Sequence, residues 1–273
     1  CINCQRTFPY VNAWYEKYED DGLIVIGIHT PEFAFEKDIR NVREAMQRFG
    51  IKYPVVLDNN YGTWRAYENQ YWPRKYLIDI HGNIVYDHIG EGAYEETEAK
   101  IRELLKERAE FLNEEINLGG VTTVNAKKAT KVQSPETYFG ASRNEYLGNG
   151  VRGSVGERAY TLPQDPKGNT LYLGGTWKTA PEYTESVTES SVLYRYSAGA
   201  VYLVANAASP VVVEVWQDGK LLTEGAGSDV KNGQVTITES RLYDLVNNAT
   251  PGEHVLELRV KGAGVQFFAF TFG

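Results

Sequence analysis

Cysteine is scarce in this sequence: its 273 residues include only two, Cys1 and Cys4. The second Cys-X-X-Cys pair that a four-cysteine zinc site needs is missing, and the four histidines stand at no zinc-ligand spacing. We therefore expect no metal site. A purely structural disulfide between Cys1 and Cys4 is also a weak interpretation, because closing so short a loop removes little entropy from the unfolded chain.

Other features that would define a function class are also missing. No apolar run approaches the roughly 18 residues of a membrane-spanning helix. Lys and Arg do not cluster and the net charge is −8, so a nucleic-acid partner is not expected. The sequence does not begin with Met, and its single methionine is Met46. We interpret it as a fragment, for which a missing signal peptide says nothing about the parent protein.

The two cysteines stand at a spacing with a defined chemistry. Apolar residues at helical spacing follow them, so we predict a helix over residues 5–20 with the Cys-X-X-Cys at its start. The unpaired N–H groups and the positive dipole end at a helix N-terminus favour thiolate over thiol. Since the thiolate attacks disulfides, the motif predicts thiol–disulfide exchange. Cys1 is the expected exposed nucleophile, and Cys4 the more buried thiol that resolves the mixed disulfide.

The rest of the first half alternates predicted strands and helices, as in an α/β domain. Residues 23–28 form a near-continuous apolar run, which is typical of a strand buried on both faces. A helix is predicted up to residue 49, with Thr30 as its N-cap and Pro31 in its first position. The later elements are a strand at 53–57, a short helix at 61–69, a hairpin at 75–79 and 84–88, and an amphipathic helix at 94–113.

The second half of the sequence has a different pattern. We predict a redox domain over residues 1–118, a linker over 119–133 that is rich in Gly, Thr, Val and Lys, and a second domain over 134–273. The second domain shows no convincing helix. Its regularly spaced β-rich runs indicate a sandwich or jelly roll, at 158–162, 170–177, 191–197, 200–206, 211–217, 234–238, 254–261 and 264–272.

The order of the first-half elements, headed by the Cys-X-X-Cys, resembles the thioredoxin fold. Pro9 stands where thioredoxin-like proteins kink their first helix, and Trp72-Pro73 precedes the hairpin, where they keep a cis-proline. The hairpin sequence KYLIDIHGNIV and the helix inserted at 31–49 resemble the TlpA-like extracytoplasmic thioredoxins. The motifs CINCQRTFP and HTPEF resemble the soluble C-terminal part of DipZ-type proteins.

This resemblance implies an extracytoplasmic thiol–disulfide oxidoreductase of the periplasm or cell envelope, related to cytochrome c biogenesis proteins and tethered to the membrane in its parent protein. Such an enzyme reduces protein disulfides with electrons from a membrane partner of the CcdA type. It needs no cofactor besides its redox-active disulfide, here Cys1–Cys4. The sequence departs from the family at one point, because the strand expected before Cys1 is not in it.

The resemblance also implies roles for three further residues. Pro73 is expected to be a cis-proline that leaves the backbone of Trp72 available to a substrate strand, whereas spacing alone fits an ordinary loop proline equally well. Glu32 follows the first strand, where related proteins place a carboxylate that can take the proton of Cys4. An acid that only complements the helix dipole is an equal alternative for Glu32.

The second domain resembles the carbohydrate-binding module of DipZ-type proteins through the motifs SPETY and LYLGGTW. Trp177, Tyr183, Tyr194 and Tyr196 are candidates for stacking on a sugar ring, although aromatic residues on strands more often belong to the core. Two functions remain open at this point. The protein is either a redox enzyme that its second domain locates, or a carbohydrate- or protein-binding module with a vestigial redox domain.

Overall fold

The computed structural model describes residues 1–126 and 133–273. The chain divides into two compact units, residues 1–128 and residues 129–273, except that Ile2 is grouped with the second. Residues 127–132, which belong to the predicted linker, lie outside the described part. None of the helices in the described ranges is long and apolar enough to cross a membrane.

The first unit is an α/β domain, as predicted. Its helices and strands follow one another in the order α1 (Ile2–Tyr18), β1 (Gly27–His29), α2 (Ile39–Arg48), β2 (Val55–Leu57), α3 (Gly62–Ala66), β3 (Arg74–Ile78), β4 (Ile84–Ile89) and α4 (Tyr94–Leu112). Strands β1 and β2 pair in parallel, and β3 and β4 pair antiparallel. These pairs form two separate two-stranded sheets in the described part of the chain.

Helices α1 and α4 enclose the core of the first unit. Trp14 and Tyr18 are four residues apart, so they share one face of α1, where they pack against Ile101 and Leu105 of α4. Helix α4 also contributes a buried carboxylate to this contact: Glu98 accepts a hydrogen bond of 2.6 Å from the Tyr18 hydroxyl of α1. Glu98 also accepts bonds from the backbone N–H and hydroxyl of Thr122, both at 2.7 Å. The chain after α4 is therefore held against the helices as far as residue 122.

The structure corrects two predictions for the first unit. The run at 23–28 is not buried on both faces, because its alternate side chains are exposed: Ile24 by 80% and Ile26 by 56%. The helix predicted from Thr30 begins only at Ile39, where the Asp38 side chain accepts a bond from the backbone N–H of Arg40 and caps α2. A short 3-10 turn, Ala34–Lys37, precedes it.

The second unit is all-β and consists mainly of one antiparallel ten-stranded sheet. Its strands are β5 (Thr137–Tyr138), β6 (Gly156–Tyr160), β7 (Leu171–Thr179), β8 (Thr184–Ser186), β9 (Ser190–Ala207), β10 (Val211–Gln217), β11 (Lys220–Leu221), β12 (Gln234–Ile237), β13 (Arg241–Val260) and β14 (Val265–Phe272). The runs predicted at 191–197 and 200–206 form the single strand β9. β9 pairs with β13 along its length, with β7 through its first half and with β14 through its second half.

Three of the four aromatic residues considered for sugar stacking belong to the core of the second unit. Trp177, Tyr194 and Tyr196 are at most 1% exposed. Their polar atoms are satisfied internally: Trp177 donates to the Gly174 carbonyl, the Tyr194 hydroxyl lies 2.8 Å from that of Thr137, and the Tyr196 hydroxyl donates to the Gln217 side chain. The stacking role is therefore wrong for these three, because inward positions on a strand bury their rings. Tyr183 is only partly buried, with its ring 5.3 Å from that of Phe268.

Candidate redox site at the start of α1

Cys1 is the N-cap residue of α1. Its Sγ accepts a hydrogen bond from the backbone N–H of Cys4 at 3.4 Å. A side chain in this position satisfies one of the N–H groups that have no partner within the helix. Negative charge on Sγ is stabilised by the same N–H group and by the helix dipole. The local geometry thus favours a thiolate at Cys1.

The loop between α3 and β3 lies opposite Cys1. In its protonated form, the Cys1 thiol donates to the Trp72 carbonyl, with an Sγ–O distance of 3.8 Å. The peptide bond between Trp72 and Pro73 is cis, as predicted. The Trp72 indole N–H donates to the Thr30 carbonyl at 3.1 Å, and its ring centroid lies 4.2 Å from that of Trp64. The structure therefore brings Trp72 and Pro73 to Cys1.

The two cysteines do not differ in exposure as expected, because both are partly exposed. The prediction that only Cys1 would be exposed is therefore wrong. Cys4 lies within the first turn of α1 and is nevertheless partly exposed.

Glu32 lies in the loop after β1 and is partly buried. Its backbone N–H donates to the Glu36 carboxylate at 2.6 Å, and the backbone N–H of Phe33 donates to the same oxygen at 3.2 Å. Glu36 therefore organises this loop. Sequence analysis missed it, although its position three residues after Phe33 is typical of a capping carboxylate. The proton-accepting role of Glu32 stays a prediction.

A cluster of charged residues beside the Cys-X-X-Cys helix was also missed. Arg6 of α1 lies 3.8 Å from a carboxylate oxygen of Glu91, which follows β4. Burial raises the pKa of Glu91, and the positive charges of Arg6 and Lys75 oppose that change. Burial lowers the pKa of Lys75 to about 8, while the charge of Glu91 acts in the opposite direction. These residues are far apart in the sequence, so only the fold brings their charges together.

The site contains no arrangement suited to a metal ion. In the two described ranges, no group of three or more His, Cys, Asp or Glu residues is placed to hold one.

Two family models match the chain. A family model described as the thioredoxin-like C-terminal domain matches residues 134–273, more than half of the chain. The chain belongs to this thioredoxin-like family. A second model, named Redoxin, matches residues 1–105, which include all five predicted site residues.

Individual relatives extend the similarity to the whole chain. The DipZ protein of Mycobacterium tuberculosis (strain CDC 1551 / Oshkosh) is 36% identical over 276 residues, which cover 100% of this chain and 37% of DipZ. The chain thus spans a little over a third of that relative. The thiol-disulfide oxidoreductase ResA of Bacillus thuringiensis (strain Al Hakam) is 31% identical over 104 residues, which cover 38% of this chain and 57% of ResA. The predicted resemblance to TlpA-like and DipZ-type proteins is confirmed.

Among solved structures, the solution structure of a thioredoxin-like protein in its oxidized form is 27% identical to this chain, with a TM-score of 0.37. The match covers 39% of this chain and 72% of that protein.

Proposed function

We propose that the first unit catalyses thiol–disulfide exchange, with Cys1 as the nucleophile and Cys4 as the resolving thiol. The observation that carries this proposal is the place of the Cys1 Sγ, which accepts the backbone N–H of Cys4 at the start of α1. A thiolate in this position is stabilised without any other cofactor. The names of ResA and of related thiol-disulfide oxidoreductases support the same reaction class.

The reaction proceeds in two exchanges. The Cys1 thiolate attacks one sulfur of a substrate disulfide, forms a mixed disulfide and releases the other substrate sulfur as a thiolate, which takes a proton from solvent. Cys4 then loses its proton and attacks the Cys1 sulfur, which releases the second substrate sulfur as a thiolate that also takes a proton from solvent. Two electrons and two protons pass to the substrate, and the protein is left with a Cys1–Cys4 disulfide. Glu32 is our candidate acceptor for the proton of Cys4.

The substrate is a disulfide-bearing protein segment that docks beside Trp72 and Pro73. The carbonyl of Trp72 already faces Cys1 at 3.8 Å, so a strand that pairs with this backbone brings its sulfur to the nucleophile. Reducing power for the next turnover comes from a membrane partner of the CcdA type. This assignment places the protein outside the cytoplasm, in the periplasm or cell envelope, and tethers its parent protein to the membrane. It rests on the similarity to DipZ over the whole chain.

The second unit has a supporting role in this proposal. Its long antiparallel strands and aromatic core suit a sandwich or jelly-roll domain of the carbohydrate-binding type, and we propose that it locates the enzyme by binding an envelope glycan or a partner protein. Of the aromatic candidates, Tyr183 alone is accessible enough to contact a sugar.

Two serine variants test the redox assignment in the 273-residue chain. Cys1→Ser is expected to abolish the reduction of insulin disulfides, because serine forms no disulfide. Cys4→Ser is expected to accumulate mixed disulfides with the substrate, since the resolving thiol is gone, and mass spectrometry detects them. Reduction that survives in Cys1→Ser would contradict the proposal and favour a binding function with a vestigial redox domain.

A further inference from the structure

The loop that follows β4 is held by side chains at each of its three carbonyl groups. The ammonium group of Lys75 donates to the carbonyls of Gly90 and Gly92, both at 3.3 Å. The imidazole Nε2 of His88 lies 3.1 Å from the carbonyl of Glu91. Since a carbonyl oxygen only accepts, the His88 Nε2 carries the proton. Lys75 and His88 are direct partners in the β3–β4 pairing, so one position in the hairpin supplies all three bonds.

The backbone conformation of this loop depends on its two glycines. Gly90 has φ +83° and Gly92 has φ +95°, values in the left-handed region that favours glycine. No other group lies within 4 Å of where a Cβ atom would stand at either glycine. Backbone conformation, rather than crowding, therefore explains the two glycines. A loop of this kind needs bonds from outside itself to keep one conformation.

The Gly90–Gly92 loop, which Lys75 and His88 hold, lies next to the proposed substrate site. The Gly90 N–H donates to the Pro73 carbonyl at 2.8 Å, and the residue before Pro73 accepts the bond from Cys1. Through the Glu91 carboxylate, the same loop also reaches Arg6 on the helix that begins at Cys1. The loop therefore contacts both elements that flank the nucleophile.

We propose that Lys75 and His88 are positioning residues for disulfide exchange: they hold the Gly90–Gly92 loop against Pro73 as one wall of the substrate site. The proposal rests on the function proposed above and adds to it a determinant of substrate docking. Neither side chain has to touch the reacting sulfurs. Their loss should therefore weaken the binding of a peptide disulfide more than it slows the chemical step.

The charge of Lys75 makes this docking depend on pH. Burial lowers the pKa of Lys75 to about 8, so its ammonium group is largely lost between pH 7 and 9, and its bonds to the two glycine carbonyls weaken. The groups that face Lys75 are Glu91 in the loop, His88 on β4, the ring of Tyr94 on α4 and, beyond Glu91, Arg6 on α1. Glu91 favours the ammonium form, so Glu91→Gln should move the loss of docking to lower pH.

The first test does not depend on enzymatic activity. Amide hydrogen exchange at fixed pH reports whether Gly90 keeps its bond to Pro73. In Lys75→Met we expect the protection of the Gly90 amide to fall about tenfold or more, while amides in the middle of β3 and β4 keep theirs. Lys52→Met, at an exposed ion pair with Glu16, serves as the control and should change neither. Unchanged protection of Gly90 in Lys75→Met would overturn the proposal.

The second test separates docking from chemistry. For a peptide disulfide, Lys75→Met is expected to raise KM about fivefold or more with little change in kcat, whereas the KM for a small aromatic disulfide, which is too short to extend along the loop, should rise less. In wild type, KM should rise between pH 7 and 9. Lys75→Arg should keep KM low throughout this range, because a guanidinium group stays charged. A fall in kcat at constant KM would contradict the positioning role.

The two proposals fail in different ways. If the wild-type chain reduces neither disulfide, the proposed function is wrong, and the exchange measurement still decides whether Lys75 holds the loop. If the wild-type chain reduces both and Lys75→Met behaves identically, the function stands and the positioning role is wrong.

Discussion

The strands of the first unit are three to six residues long, whereas β9 and β13 of the second unit extend over 18 and 20 residues. The hydrophobic cores of the two units also differ in size. The second unit contains a large core of fully buried aliphatic and aromatic residues, while the main core of the first is a small cluster between α1 and α4. The first unit also buries charged side chains, such as Glu98 beneath α1.

This difference matches the division of work that we propose. Thiol chemistry needs accessible sulfurs and polar groups held in fixed places, and both reduce the apolar area that a domain can bury. The first unit relies correspondingly more on specific hydrogen bonds, such as those to Glu98. The second unit has no such constraint along its long strands, and apolar burial dominates it. We therefore expect the two units to respond differently to the loss of apolar contacts and of polar contacts.

The largest effect is expected in the second unit. Trp177 is fully buried, with its ring centroid 5.6 Å from that of Phe267. Trp177→Ala should lower the free energy of unfolding of this unit by about 3–5 kcal/mol, because it leaves a cavity in a tightly packed core. Hydrogen exchange across β9 and β13 should rise correspondingly. Tyr183→Ala, at a partly exposed ring, is the control and should cost less. An equal cost for both variants would contradict the apolar account of this unit.

A smaller but more specific effect is expected from Glu98. Glu98→Ala removes the acceptor of the bonds from Tyr18 and Thr122, and should destabilise the first unit by about 2–3 kcal/mol. Denaturant unfolding measured by tyrosine and tryptophan fluorescence would show this. A variant as stable as the wild type would mean that apolar packing alone holds the first unit together.

The Glu98 carboxyl group should also make the stability of the first unit depend on pH. Burial favours its neutral form, but the hydrogen bonds from Tyr18 and Thr122 outweigh burial and lower its pKa. A carboxyl group whose pKa is lower in the folded state stabilises the fold above its pKa in the unfolded chain. That contribution is lost as pH falls through the folded-state pKa. Glu98→Gln should therefore flatten the acid limb of the stability curve of the first unit, and an unchanged limb would contradict this.

The smallest effect is expected at Asp58, which is 7% exposed and joins α3 to the loop at Thr30. Its carboxylate accepts from the backbone N–H groups of Thr63 and Trp64 and from the Thr30 hydroxyl. Asp58→Ala should cost about 1–2 kcal/mol, as expected for the loss of a cap. The carbonyl of Thr30 holds the Trp72 indole, so KM for a peptide disulfide should also rise slightly. Asp38→Ala, which removes the cap of α2, is the control and should leave KM unchanged.

Local sequence patterns predicted most elements and the centre of the site. The Cys-X-X-Cys before a helical stripe was enough to locate Cys1 at the N-terminus of α1, because helix capping depends on a few neighbouring residues. The change from α/β to all-β was visible for the same reason, since apolar periodicity is a local property. Short strands such as β5, β8 and β11 were missed, because two or three residues carry no period.

Contacts between distant residues could not be predicted in this way. Residues 31–37 do not form the predicted α-helix. The Glu36 carboxylate accepts from the backbone N–H groups of Glu32 and Phe33 instead, and the Thr30 hydroxyl donates to Asp58. Aromatic residues on strands fit a core or a sugar site equally well, and only the packed sheet showed that Trp177 is buried.

By itself, therefore, the sequence led to the reaction class that we propose and to its two thiols, because the Cys-X-X-Cys spacing and the helix that follows it are local features. The tertiary structure alone brought Lys75 and His88 to the Gly90–Gly92 loop and that loop to Pro73. Each residue of this group contributes only one or two bonds, and none belongs to a motif. Their common effect arises because the β3–β4 pairing sets Lys75 and His88 side by side, where burial changes the charge of Lys75 near neutral pH.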